Sequence, residues 1–121
     1  VGPGSGGRSN KAKIGVTPGG GFTGTINLSA APAAGSEELT DTYGAILRVS
    51  PTTISCTDPD PYNGITSDII CTNSEFWVEP TGDIPDSTYN IILTATPPSG
   101  VQKKATISLR VRRFVPAFQE I

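Results

Sequence analysis

Two cysteines, Cys56 and Cys71, bracket the run CTDPDPYNGITSDIIC and hold the chain's only thiols. A close pair on either side of a turn-rich loop reads as a disulfide formed in an oxidising compartment. On the chain-entropy view, closing a loop of that size stabilises the fold by about 3 kcal/mol. Two buried free thiols in a reducing compartment are the alternative reading. A zinc site is disfavoured, since two thiolates with no further Cys and no His leave the metal shell incomplete.

Inside that loop, Asp58, Asp60, Asn63 and Asp68 are the oxygen ligands that Ca²⁺ would choose, and a disulfide would draw them together. The spacing departs from an EF-hand, whose glycine stands one place earlier and whose bidentate Glu is missing here. Asp-Pro and Asn-Gly pairs also serve simply to turn a backbone. Catalysis is narrowed further. Without histidine there is no Ser/His/Asp or Cys/His nucleophile, and no Ser-x-x-Lys, phosphate loop or dinucleotide fingerprint occurs. Composition alone leaves paired carboxylates open. The expectation is a protein that is not an enzyme and needs no cofactor, Ca²⁺ being the one candidate.

Lys103, Lys104, Arg110, Arg112 and Arg113 form a basic row late in the chain. Such a row could hold an anionic glycan or phosphate, but lysine and arginine on a strand face also discourage edge-to-edge aggregation. No aromatic residues interleave with it, so nucleic acid is not an expected partner. The mild net charge of −2 and pI near 4.9 point to no particular partner. Asn27-Leu28-Ser29 fits a glycosylation sequon.

The elements that must position these residues are strands. Residues 86–113 alternate at a period of two, with Tyr89, Ile91, Leu93 and Ala95 on one side of a first run and Ala105, Ile107, Leu109 and Val111 on one side of a second. Pro97-Pro98-Ser99-Gly100 lies between them, which predicts a β-hairpin whose inner face needs a second sheet. Shorter alternations begin at Ile14 and at Phe22, with Gly24, Ile26 and Leu28 sharing the second one's inner face. Residues 43–49 form a strand with Ala45, Leu47 and Val49 inward, and 52–57 another. Residues 69–79 read as one strand with Ile70, Thr72, Ser74, Phe76 and Val78 on one face. Residues 30–42 read as a long loop with a helical turn available from Ser36. With 121 residues, high Gly and Pro and no helical periodicity, the prediction is a single all-β domain, an antiparallel sandwich of about seven strands.

Three further quotations carry a family resemblance. GFTGTINLSAAPAAG, LRVSPTTISC and IPDSTYNIILTATPPSGVQKKATISLRV together resemble the bacterial and archaeal Ig-like domains of secreted and cell-surface proteins. The shared pattern is an aromatic-Gly-hydroxyl strand opening, a Ser-Pro pair mid-domain, and a Thr-Tyr strand leading to a valine-rich last strand. Its implication is an Ig-like sandwich, over residues 14–113, that works through protein contacts. The cysteines stand too close for the long-range disulfide of antibody domains, and Tyr89 is placed to make a tyrosine corner.

Outside that span, residues 1–13 are Gly- and Ser-rich and read as a flexible leader or linker. Residues 114–121 form an apolar tail, with Phe114, Val115, Phe118 and Ile121 as candidate partner contacts. Trp77 joins them if strict alternation turns it outward, whereas a bulge would make it core. The chain contains no Met, signal segment or membrane span, which fits a processed secreted product or a trimmed piece of a longer protein. The functional expectation is a structural or adhesive module outside the cytoplasm, contacting neighbouring domains or copies of itself, as in a self-assembling filament. A carbohydrate-binding module using Trp77, Tyr62 and Tyr43 as stacking surfaces, with Ca²⁺ assisting, is the alternative.

Overall fold

In the computed structural model, residues 10–17, 21–60, 62–64 and 68–111 are described. They form two antiparallel sheets packed face to face, an all-β sandwich. The strands are β1 (Ala12–Ile14), β2 (Gly24–Pro32), β3 (Ile46–Ser50), β4 (Thr53–Thr57), β5 (Ile70–Cys71), β6 (Ser74–Glu79), β7 (Ser87–Thr96) and β8 (Lys103–Val111), with one short helix, α1 (Glu38–Asp41), between β2 and β3. One sheet has the order β1-β6-β3 and the other β5-β4-β2-β7-β8.

The hairpin predicted for residues 86–113 is formed by β7 and β8, in register from Ser87↔Val111 to Ala95↔Lys103. Its turn is closed by Gly100 N–H donating to Pro97 O at 2.9 Å, with Gly100 at φ 83°, backbone that favours glycine. On the inner side Tyr89, Ile91 and Val111 are fully buried, at 0–1% exposure. Opposite them β6 presents Phe76 and Val78, and Leu39, Ala45 and Ile84 belong to the same cluster. Each such aliphatic side chain contributes about 1.5–3 kcal/mol by leaving water. A second cluster of Ile26, Ile54 and Cys56 lies between β2 and β4.

Two expectations are corrected. Residues 30–32 belong to β2, where Ala30 pairs with Leu93 and Pro32 with Ile91. Small residues before a proline have low strand preference, and pairing along β7 overrides it. Ala33 N–H donates to Asn90 O at 2.9 Å, so the Pro32 nitrogen faces the other side, where β4, paired only with Gly24–Asn27, has already left. The one-turn helix from Ser36 is present. Ser36 is buried, and its Oγ accepts from Asn90 N at 2.9 Å, tying the turn to β7.

Residues 69–79 are two strands in different sheets, β5 beside β4 and β6 between β1 and β3. The chain changes sheets after Thr72, which takes both of Ser55's ladder positions: its N–H donates to Ser55 O at 2.9 Å and its Oγ1 accepts from Ser55 N at 3.0 Å. Ile70 is accordingly 62% exposed and not on the inner face. The opposite crossing, from β3 to β4, takes only Pro51 and Thr52. The Ser50-Pro51 bond is cis, and Thr52 O accepts from Leu28 N at 2.8 Å.

Candidate interaction site

The residues that could do chemistry fall on three separate parts of the sandwich. Cys56 and Cys71 face each other across β4 and β5 with Cα atoms 4.0 Å apart and are joined by a disulfide. Cys56 is buried in the smaller cluster, so the bond anchors β5 and the acidic loop to the sheet.

Within that loop Asp58 and Asp60 serve the backbone, while Asp68 meets the Asn63 side chain. Asp58 Oδ1 accepts from Asp60 N at 3.0 Å, Asp60 Oδ1 from Tyr62 N at 3.3 Å, and Asp68 Oδ2 from Asn63 Nδ2 at 2.9 Å. The first two bonds are the turn-building use of Asp. Among the described residues no group of three or more His, Cys, Asp or Glu is arranged to hold a metal.

The outer face of the three-stranded sheet carries Trp77. Alternation along β6 holds, with Phe76 and Val78 buried and Trp77 half-buried on the opposite side. There the Lys11 ammonium sits 4.7 Å from the ring centroid, a cation–π contact. Trp77 Nε1 donates to Glu79 Oε1 at 2.9 Å, and Glu79 also pairs with Arg48 at 3.3 Å. Both the ring face and the ring N–H are therefore engaged within the domain.

The other aromatics do not join it. Tyr62 stands 95% exposed in the β4–β5 loop, and Tyr43 packs edge-on against Tyr89 at 6.5 Å between centroids. Tyr89 donates its hydroxyl to Pro85 O at 3.0 Å. Its phenol is held above the usual tyrosine range, first by burial and then by the neighbouring Tyr43, Glu38 and Asp86. Asn27 is exposed on the outer face of the five-stranded sheet. Lys104 and Arg110 are exposed on β8, while Arg112 and Arg113 lie outside the described residues. So do the tail residues Phe114, Val115, Phe118 and Ile121.

One site was not anticipated from the sequence. A groove of about 320 Å³, walled by Ile14, Val16, Ile26, Leu28, Leu93 and Ala105, opens between the sheets at the end where β7 turns into β8. It continues past Phe22 and Pro97 to Val101, which is 63% exposed. The cause is a mismatch in size. β7 and β8 are ten and nine residues long, whereas β1, the strand over that side, has three. Ile107 and Leu109 are only half-buried and Ala105 is exposed, although all three continue the inner face that Val111 completes. β8 is also the last strand of its sheet, and among the described residues no strand pairs with its outer edge.

The sequence signal was the contrast between an alternation that stops after Val16 at a glycine-rich turn and a hairpin that runs on beyond it. No family model, curated protein or solved structure matches this chain.

Proposed function

We propose that the chain is a non-catalytic Ig-like module of a secreted or cell-surface protein, working through protein contacts and assembling with copies of itself into a filament. The observation that carries this reading is the apolar groove beside the unpaired edge of β8. An apolar trough next to a strand edge that no described strand pairs with favours a protein strand over a small polar ligand. The Ig-like part is supported by the Tyr89–Pro85 bond at the start of β7, which has the geometry of a tyrosine corner. The extracytoplasmic part is supported by the Cys56–Cys71 disulfide.

The test is sedimentation of the native chain with negative-stain imaging. Species that grow with concentration, or visible fibres, are the expected result; a monomer at every concentration would remove the assembly reading. A carbohydrate-binding role has one feature in its favour, the outward Trp77, and it predicts polysaccharide retention that Trp77→Ala abolishes.

A further inference from the structure

We propose that the groove at the β7–β8 turn is the seat for residues 114–121 of a second copy, giving a head-to-tail assembly; this rests on the self-assembly reading above. The segment has the composition of an inserted strand. Phe114, Pro116 and Phe118 fall on one side at a period of two, and Glu120 is the next residue on that side. The groove matches in order, with apolar walls from Leu28, Leu93 and Ala105 and a rim carrying Lys103 and Lys104. Phenyl rings fill the trough while the Glu120 carboxylate meets the lysines. The backbone is received between the outer edge of β8, which no described strand pairs with, and the short β1, and Pro116 forgoes only one ladder hydrogen bond.

The seat is assigned to a neighbour because Val111, the last described residue before the segment, stands at the opposite end of β8 from the groove. Val111 pairs with Ser87, while the groove is lined by Ala105 and Lys103, which pair with Leu93 and Ala95 toward the turn. The nine residues of β8 separate these ends by about 27 Å. To return along its own domain the chain would have to reverse at Arg112-Arg113, and two arginines are poor residues for the positive φ of a two-residue hairpin turn. Even that tightest turn would set Phe114 opposite Val111 and Phe118 opposite Ile107, so that only Glu120 and Ile121 would come beside Ala105 and Lys104 and neither phenyl ring would reach the trough. A contact that joins one end of each copy to the other end of the next is heterologous and propagates as a filament.

Complementation tests this directly. Ala105→Glu blocks the groove and keeps the tail; Phe114→Asp combined with Phe118→Asp spoils the tail and keeps the groove. Neither variant should assemble alone, and an equimolar mixture should give a one-to-one dimer that grows no further, with circular dichroism confirming that both remain folded. As a measure independent of variant folding, a peptide of residues 112–121 added to the native chain should shorten its assemblies while a scrambled peptide does not. If the native chain assembles but both variants assemble like it, or the peptide has no effect, this seat is wrong and the self-assembly reading stands. A native chain that is monomeric throughout would overturn both.

Discussion

Tyr89 joins the core to the polar corner beneath β7. Its ring is buried against Tyr43 and its hydroxyl donates to Pro85 O at 3.0 Å. Tyr89→Phe keeps the ring and leaves that carbonyl unpaired, so denaturant unfolding should show a loss of about 1–2 kcal/mol. The raised phenol also sets a pH dependence. In the unfolded chain the tyrosine ionises near 10, and in the fold it does so later, so the folded state holds the proton more tightly. Its contribution is complete below pH ~10 and is lost as pH rises through the folded-state value. Alkaline melts of the native protein should therefore fall more steeply than those of Tyr89→Phe, and parallel curves would contradict this origin. A second residue-scale test is Gly44, at φ 67° with Thr81 Oγ1 only 2.8 Å from where a Cβ would stand. Gly44→Ala should cost roughly 1–3 kcal/mol by thermal melt. Trp77 shows how far single residues could be read: alternation placed its ring outside and beside Glu79, but the Lys11 contact depends on β1 lying beside β6, which no local pattern encodes.

Among the elements, the β7–β8 hairpin was the most legible because its period, turn residues and length all agree. Residues 69–79 misled because an unbroken period of two says nothing about which sheet a strand joins, and Thr72 makes the crossing with its own side chain. Residues 30–32 misled in the other direction, their weak strand preference being overridden by pairing with β7. The β4–β5 pair is the element most dependent on a covalent link, since β5 has two residues and Cys71 is one of them. Replacing Cys56 and Cys71 together with Ser should lower stability by about 3 kcal/mol. Hydrogen exchange should then accelerate first in β5 and the acidic loop. Uniform acceleration throughout the domain would show that the bond supports the whole sandwich and not chiefly this corner.

At the scale of the whole molecule, the sandwich is unequal: among the described residues five strands face three, and the apolar groove lies at one end. That imbalance was hidden in the sequence because Ile107, Leu109 and Ala105 look the same whether or not a strand covers them. The apolar residues 114–121 were visible as an oddity, and the proposed seat for them is that groove. Removing those residues should leave the melting temperature of the sandwich nearly unchanged, because the cores around Tyr89, Ile91, Val111 and Ile54 are built from described residues that precede the segment. Unfolding on truncation would instead assign the segment to its own domain's core. The most direct measurement is sedimentation velocity of the native chain across a wide concentration range, beside the chain lacking residues 114–121. Species that lengthen with concentration are expected for the native chain and a folded monomer for the truncated one; a native chain that stays monomeric throughout would contradict self-assembly.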